Sequence, residues 1–209
     1  MEALSNLNVI CYIAAYLIGA IPFGVVFAKQ FAGMNVRDAG SKSIGATNVL
    51  RVVKEKDPKL AKKLGAMTLI ADALKATLPL MIAAFIFKMD ASVLWAMAVL
   101  AVLGHCFSPY LGFEGGKGVA TAFGGLLFLA PLQSLVAVAF WFGAAKTIKV
   151  VSLSSLTGLV ALVAAFYTPL PQFFDVHSLA PVFIIAILVV YKHIPNIMRL
   201  FSGQESKVI

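Results

Sequence analysis

Charged residues are scarce in this sequence. Only 12% of its 209 residues are charged, whereas 61% are hydrophobic, and the mean hydropathy is +0.94. A soluble domain is nearer one quarter charged and one half apolar. A soluble core of this size has no room for the excess apolar surface, so lipid must cover it. The composition predicts an all-α polytopic membrane protein, with residues 1–209 as one domain.

Cysteine and histidine are also rare. Cys11 and Cys106 lie in separate apolar runs, and the three histidines are scattered along the chain. This spacing gives neither a disulfide framework nor a metal-ligand pattern. The leader, residues 1–6, has no Lys or Arg, which a signal peptide requires, so we expect the first apolar run to be retained as a span.

Acidic residues are outnumbered by basic ones. The 17 Lys and Arg against 9 Asp and Glu give a net charge of +8. In a membrane protein, a basic cytoplasmic face near anionic lipid accounts for most of this excess, and the rest would serve an anionic substrate. We therefore expect membrane lipids, and no nucleic acid, as partners.

Apolar runs that suit membrane helices recur along the chain. They are Leu7–Ala28, Gly65–Phe87, Val93–Leu111, Leu153–Thr168 and Leu179–Tyr191, the last of which could continue helically past His193. The first three are long enough for ~30 Å of hydrocarbon at ~1.5 Å per residue.

The uncharged stretch 119–145 has two interpretations. Pro131 lies near its middle, and proline breaks or kinks a helix because it lacks an N–H and clashes with the preceding turn. Two short helices, at about 119–130 and 132–145, therefore compete with one long kinked span. The total number of transmembrane helices is then seven or six.

The basic residues favour seven. Nine of them crowd the region after the first span, which makes it cytoplasmic and the N-terminus external: Lys29, Arg37, Lys42, Arg51, Lys54, Lys56, Lys59, Lys62 and Lys63. Two short helices keep Lys146, Lys149 and the tail with Lys207 inside, whereas one long helix would place them outside. We predict seven transmembrane helices, some of them short, and a cytoplasmic C-terminus. We also expect 54–63 to form a basic helix on the membrane surface.

The loop from Gly40 to Arg51 suits an anion. Its glycines let the backbone turn and expose N–H groups. Ser41 and Thr47 can donate hydrogen bonds, and Arg51 offers a bidentate phosphate contact. The alternative is a flexible cytoplasmic turn with a surface arginine.

A second loop, 112–118, is rich in glycine and leads directly into an apolar helical run. Glycine-rich backbone at a helix N-terminus binds phosphate through free N–H groups and the helix dipole, and Lys117 adds a charge. It is not a Walker A loop. That motif has four residues between its first glycine and Gly-Lys, followed by Ser or Thr, whereas here three residues intervene and Gly118 follows the lysine. The alternative is a tight interfacial turn.

A third polar cluster lies near the C-terminus. If this segment is helical, His193 and Asn196 share a face, and Pro195 lies near a helix start or kink. The alternative is a tail whose Arg199 extends to lipid headgroups.

Three further sets of polar residues have structural interpretations. Asp72 and Lys75, three residues apart inside a span, are expected to pair behind the site. His105 would pack near the inner end of its span, and the serines at 152, 154 and 155 would cap the next helix.

Three segments resemble the PlsY family, the acyl-phosphate:glycerol-3-phosphate acyltransferases of bacterial membranes. They are GSKSIGATNVLR (40–51), LGHCFSPYLGFEGGKGVAT (103–121) and YKHIPNIMRLFSGQE (191–205). The order and spacing of the spans also agree, so the resemblance covers nearly the whole chain. Three motifs in the right order are far more specific than any one of them.

The resemblance implies transfer of an acyl group from acyl phosphate to the 1-hydroxyl of sn-glycerol 3-phosphate. The products would be 1-acylglycerol 3-phosphate and inorganic phosphate, in the first acylation of phospholipid synthesis. It also implies a multi-pass protein of the bacterial cytoplasmic (inner) membrane, with seven helices and a site facing the cytoplasm. No metal, no cofactor and no acyl-CoA would take part. The oligomeric state stays open, and a monomer is compatible.

The same resemblance assigns site residues by position. Substrate phosphate would be held by Ser41, Arg51, Lys117, Gly115, Gly116 and Gly118. The catalytic group would be Lys117, His193, Asn196 and Ser155. Supporting residues would be Thr47, Asn48 and His105.

The chain departs from the family at two places. Lys42 and Ser43 stand where the family usually has Gly and Asn, so Lys42 either adds charge to the pocket or faces water. Ile194 and Pro195 replace charged residues between the histidine and asparagine of the third motif, which bears on the local helix geometry.

The sequence contains no His-x4-Asp signature of the acyl-CoA-dependent enzymes and no evident Ser-His-Asp set. Acyl phosphate is already activated, so we expect catalysis by alignment and charge neutralisation, with a substrate phosphate oxygen taking the hydroxyl proton. The main rival is a secondary transporter of a phosphorylated solute. However, no repeat relates the two halves, and the polar groups gather at one face. A lipid-binding scaffold is a weaker rival.

Overall fold

The computed structural model describes residues 6–205. The leader at 1–5 and Lys207 of the tail therefore lie outside the described residues. The regular secondary structure within residues 6–205 is entirely helical, with loops between the helices and no strand. The helices are α1 (Leu7–Gly19), α2 (Phe23–Phe27), α3 (Ala46–Lys54), α4 (Pro58–Phe85), α5 (Ala91–Cys106), α6 (Val119–Leu129), α7 (Pro131–Ile148), α8 (Val151–Ala165) and α9 (Ala180–Phe201).

Within the described residues, four helical segments are long and apolar enough to cross a membrane: Leu7–Ala32, Pro58–Phe85, Ala91–Leu111 and Ala180–Phe201. Helices α6 and α8 are shorter apolar helices. Large apolar side chains such as Ile86, Val160 and Ile187 are more than three-fifths exposed. Exposed apolar surface on this scale requires lipid around it, which confirms a helical membrane protein.

Pro131 divides the uncharged stretch into two helices, as predicted. Helix α6 ends at Leu129, Ala130 adopts a non-helical conformation (φ −141°, ψ 72°), and Pro131 starts α7. The alternative of one long helix is therefore wrong. Proline suits the first helical position because its missing N–H has no partner there.

The first span is not one straight helix. Helix α1 ends at Gly19, the chain passes through Pro22, and α2 continues into a π-helical turn at Ala28–Ala32. The predicted span Leu7–Ala28 falls within the candidate span Leu7–Ala32, but its division at Pro22 was not predicted. Pro22 causes it, because a proline nitrogen cannot donate to the preceding turn.

The predicted surface helix at 54–63 is also wrong. Lys54 is the last residue of α3, Lys56 lies in the turn between the helices, and Lys59, Lys62 and Lys63 fall in the first turns of α4. Asp57 separates the two helices: its side chain accepts hydrogen bonds from the backbone amides of Lys59 (2.8 Å) and Leu60 (3.0 Å), and Pro58 follows it. This is a helix N-cap, which starts α4 well before the apolar span.

Helix α5 is the centre of the bundle. Its span is 61% buried, against 28–39% for the other three long spans, and it packs against α1, α4, α6 and α9. Two glycines allow this packing, because a Cβ at Gly19 or Gly104 would overlap backbone of the facing helix. Small residues at helix crossings let membrane helices approach closely.

Helix α3 is amphipathic and has no span of its own. Val49, Val52 and Val53 are buried against the start of α4. Burying each valine stabilises the fold by about 1.5–2 kcal/mol. Because residues three and four apart share a helix face, the opposite side presents Thr47 and Arg51 together.

Candidate active site

The three polar segments meet at one cavity of ≈ 610 Å³. Two residues predicted for the site, Gly115 and Gly116, instead line an adjoining cavity of ≈ 390 Å³. The other predicted residues all line the larger cavity: Ser41, Thr47, Asn48, Arg51, His105, Lys117, Gly118, Ser155, His193 and Asn196. Residues far apart in the sequence therefore share one site.

Asn48 organises the first loop. Its Nδ2 donates hydrogen bonds to the carbonyls of Val36 (2.8 Å) and Ser43 (2.8 Å), and its Oδ1 accepts one from the amide of Ser41 (2.8 Å). The side chain is only 2% exposed. Asn48 is therefore committed to shaping the loop that presents Ser41, in agreement with the supporting role expected for it.

The glycine-rich loop leads directly into α6. Gly112, Phe113 and Gly118 all have left-handed backbone, with φ of 66°, 64° and 80°. Gly118 immediately precedes Val119 at the helix start, and both line the cavity. The first turn of a helix has unpaired amides and a partial positive charge. This end of α6 can therefore bind a phosphate.

The backbone at Gly116 has a different task. Its amide donates to the carbonyl of His105 (3.0 Å), and an added Cβ would overlap the His105 ring. The expectation that this loop holds phosphate through its amides is corrected at Gly116, whose N–H is already engaged. Glycine is needed there because the loop rests directly on α5.

Lys117 and Arg199 are the two cationic residues that line both cavities, and Arg199 is paired with Glu205. Within residues 6–205 the Lys117 ammonium makes no hydrogen bond and no ion pair. The pKa of Lys117 is lowered to about 8. Burial is the largest cause, Arg199 and Arg51 also lower the pKa, and Glu205 raises it in part. An ammonium crowded by other cations is well suited to an anionic ligand.

Helix α9 brings His193 and Asn196 to the cavity, and both are buried. The helix is continuous through Pro195, so the expectation of a helix start there is wrong. His193 Nδ1 lies 2.7 Å from the carbonyl of Val189. A carbonyl only accepts, so neutral His193 carries its proton on Nδ1 and Nε2 is left as an acceptor.

The serines at the start of α8 are not helix caps. Ser154 and Ser155 donate to the carbonyls four residues earlier, Val150 and Val151, each at 2.9 Å. Ser155 Oγ can still accept a hydrogen bond from a ligand hydroxyl. Donation to a phosphate would require its hydroxyl to rotate away from Val151.

Glu205 is the residue that the sequence analysis missed. It accepts hydrogen bonds from Ser152 (2.7 Å), Asn196 (2.5 Å) and Arg199 (2.7 Å). Burial alone would raise the pKa of Glu205, but these three donors outweigh it and hold the pKa below its usual range. The third segment, 191–205, ends on this residue, yet a lone acidic residue after a helix gives no signal of the fold-back.

A buried polar cluster lies behind the cavity. Lys75 Nζ donates to Asp72 (2.7 Å) and to the carbonyl of Ile21 (2.8 Å), and lies 2.8 Å from His105 Nδ1. The predicted pairing of Asp72 with Lys75 is confirmed. The third partner, His105, carries the carbonyl that holds the glycine loop. Residues 6–205 contain no group of three His, Cys, Asp or Glu side chains that could hold a metal ion.

The far end of the large cavity is apolar. It lies among α6, α7 and α8 and is lined by Phe123, Leu126, Trp141, Leu159 and Leu162, with Ser134 of α7 as a polar exception. Ala120 and Ala122 also face it. Gly124 instead packs against the backbone of Ala73 on α4, and a Cβ there would overlap it. One cavity thus has a polar, cationic end and an end suited to a hydrocarbon chain.

The fold and cavity define a class of helical membrane proteins whose site suits a ligand that joins a phosphate to a hydrocarbon chain. The glycerol-3-phosphate acyltransferase family model matches residues 9–203. Because the match covers nearly the whole sequence, this chain belongs to that family.

Curated relatives and solved structures agree with this assignment. The chain is 55% identical to the glycerol-3-phosphate acyltransferase of Sulfurimonas denitrificans over the full length of both. It is 56% identical to that of Campylobacter lari, over 97% of this chain and 99% of the relative. The glycerol 3-phosphate form of PlsY, an integral membrane glycerol 3-phosphate acyltransferase, superposes with a TM-score of 0.82 at 36% identity, covering 96% of this chain and 94% of that one. Its lysophosphatidic acid form gives a TM-score of 0.80 at 35% identity, with the same coverage.

Proposed function

We propose that this protein transfers an acyl group from acyl phosphate to the 1-hydroxyl of sn-glycerol 3-phosphate. The products are 1-acylglycerol 3-phosphate and inorganic phosphate, and the step is the first acylation of phospholipid synthesis. The observation that carries the proposal is the single cavity that joins a cationic end to an apolar end. Such a cavity can hold an acyl chain, its carbonyl and a phosphate at once.

The comparisons support this reaction. The matching relatives are named glycerol-3-phosphate acyltransferase, and PlsY has been solved in forms with glycerol 3-phosphate and with lysophosphatidic acid. These two molecules are the acceptor and the product of the proposed transfer. The cationic end of the cavity suits the phosphate that both molecules carry, and the apolar end suits the acyl chain that only lysophosphatidic acid carries.

The substrates are placed by their chemistry. The acyl chain lies among α6, α7 and α8, and the phosphate of the acyl donor lies at the start of α6 beside Lys117. Ser41 and Arg51 hold the phosphate of the acceptor. His193 Nε2 accepts a hydrogen bond from a glycerol hydroxyl, and Asn196 completes the pocket. Alignment of the two substrates in this way supplies much of the rate enhancement.

The transfer balances without a side-chain base. The 1-hydroxyl oxygen attacks the acyl carbonyl, a new ester bond forms, and the bond from the acyl carbon to the phosphate oxygen breaks. The leaving phosphate oxygen takes the hydroxyl proton, which gives hydrogen phosphate. Lys117 and Arg51 neutralise the charge that two neighbouring phosphates bring together, and this is their electrostatic contribution to the transition state.

The proposal includes the orientation of the protein. Seven helices cross the bacterial inner membrane, with the N-terminus outside and the cavity open to the cytoplasm. The lysines and arginines at the polar end of the cavity support this topology, since basic loops are retained in the cytoplasm. Labelling from either side of sealed vesicles tests it at single cysteines introduced at positions 42, 88 and 149. Labelling of positions 42 and 149 from the periplasm contradicts this orientation.

The decisive experiment uses the detergent-purified protein. Palmitoyl phosphate and palmitoyl-CoA are each supplied with radiolabelled glycerol 3-phosphate. We expect labelled lysophosphatidic acid and phosphate release with palmitoyl phosphate alone. Nothing in the comparisons supports the transporter alternative. In proteoliposomes a transporter would move the label without forming lipid, and that result would overturn the proposed function.

A further inference from the structure

The smaller cavity beside the reaction site is strongly basic. Four cationic side chains line it, and no acidic residue is among its lining: Lys42, Lys117, Lys192 and Arg199. Arg199 is paired with Glu205, so the three lysines account for the basic character. It meets the larger cavity at five residues that line both: Ser41, Ser43, Lys117, Asn196 and Arg199. The exposed side chain of Lys42 borders it. A charged ammonium requires water or lipid headgroups around it, so the cavity opens at the membrane surface rather than to the apolar end.

Lys42 adopts a backbone conformation that favours glycine. Its φ is 56°, in the left-handed region where a Cβ clashes with the neighbouring carbonyl. Glycine adopts this conformation without that clash. Lys88 and Lys149 share this conformation but line neither cavity, so it is the position of Lys42 at the basic cavity that distinguishes it. Here the side chain is exposed and lines the basic cavity.

Lys192 supplies a second cation from the facing helix. Its Nζ lies 4.5 Å from the centroid of the Phe107 ring. A cation–π contact of this kind holds an ammonium in place while leaving its donors available. Lys42 on the first loop and Lys192 on α9 therefore flank the passage to Lys117.

We propose that this basic cavity is a vestibule for the water-soluble phosphomonoester substrate, and that Lys42 is a binding residue of this chain for that dianion. The proposal rests on the proposed function, and it names the route by which the acceptor reaches the site. The acyl donor needs the apolar end, which the vestibule lacks. Charges at the rim of a site raise the encounter rate and salt dependence more than they affect the chemical step.

The test replaces Lys42 with the residue that its backbone prefers. In Lys42→Gly, strain is relieved while one charge is lost. We expect the unfolding temperature to stay level or rise, and the KM for glycerol 3-phosphate to increase about three- to fivefold, as for one exposed ionic contact. The dependence of kcat/KM on ionic strength should weaken. The KM for palmitoyl phosphate should move far less. Lys42→Arg, with the charge restored, should return the KM for glycerol 3-phosphate towards that of the wild type.

Lys88 provides a matched control. It is an exposed lysine with φ 53° in the loop between α4 and α5, and it lines neither cavity. Lys88→Gly should leave the KM for glycerol 3-phosphate unchanged. An unchanged KM in Lys42→Gly, or an equal increase in both variants, overturns the vestibule. Failure of the wild type to form lysophosphatidic acid would instead overturn the proposed function, so the two failures are distinguishable.

Discussion

The charges of α4 and the charge at the start of α6 border the same cavity, at Asp72 and Lys117, and differ in whether they are paired. Asp72 and Lys75, inside α4, are almost fully buried and pair with each other at 2.7 Å. Lys117, at the start of α6, has no such partner among the described residues. Charge deep in a membrane protein persists only when it is neutralised locally. Charge left uncompensated at the mouth of a cavity is instead available to a ligand.

Breaking the buried pair should have the largest effect. Asp72→Leu leaves the Lys75 ammonium buried without its counter-ion, which destabilises a fold by about 3–5 kcal/mol. We expect a large drop in the unfolding temperature of the detergent-solubilised protein. The double variant Asp72→Leu/Lys75→Met should recover much of the loss, since it removes both charges. Equal instability of the single and double variants would show that the pairing itself contributes little.

Removing the uncompensated charge should abolish activity without unfolding the protein. Lys117→Ala is expected to lower kcat about 10²- to 10³-fold, as for the loss of one group that stabilises transition-state charge. Its unfolding temperature should stay close to that of the wild type. Lys63→Ala, on the exposed surface of α4, is the control and should retain full activity. Normal turnover in Lys117→Ala would remove this residue from the mechanism.

Gly116 links the two sets of charges. Its amide donates to His105, whose ring contacts Lys75, and the next residue in the chain is Lys117. Gly116→Ala places a methyl group against the His105 ring, so the loop must shift away from α5. We expect a destabilisation of about 1–3 kcal/mol, typical of overpacking, together with a lower kcat/KM because Lys117 moves with the loop. Gly143→Ala has open space around the new Cβ and should affect neither quantity. Wild-type kcat/KM in Gly116→Ala would mean that loop position is not critical.

The pH profile tests the uncompensated charge without any mutation, and near neutral pH its effect should be the smallest of the four. Lys117, with a pKa of about 8, is protonated below that pH and loses its charge above it. We therefore expect kcat/KM, which reports the free enzyme, to fall about tenfold per pH unit above pH 8. The corresponding fall in kcat should begin at higher pH, because a bound phosphate stabilises the ammonium form of Lys117. Lys117→Arg should lack this limb. A kcat/KM that stays level to pH 10 in the wild type would assign the charge neutralisation to another cation.

Much of the fold could be predicted from local physics. Pro131 marked the division between α6 and α7, and apolar length identified the long spans. The break at Pro22 was missed, although the same rule applies there, because the surrounding run was long enough for one span. The basic surface helix at 54–63 was predicted wrongly, because the prediction relied on the run of lysines and did not use Asp57 as a helix N-cap. Local signals of similar strength competed, and sequence alone does not rank them.

The site could be predicted in its residue types but not in its contacts. The glycines and lysine of 112–118 indicated a phosphate loop, yet the contact of Gly116 with His105 required α5 to pass beneath. The fold-back of Glu205 onto Ser152 and Asn196 depends on helices that are distant in the sequence. No spacing rule reports such contacts.

The sequence by itself determined the membrane setting, the helical class and the chemical types of the groups that gather at the polar end, because hydrophobicity, proline geometry and charge act locally. Only the tertiary structure decided which charges are paired, which amides are engaged and where a hydrocarbon chain fits. Pairing and enclosure depend on distances between helices, and those distances exist only after α4, α5 and α6 have packed.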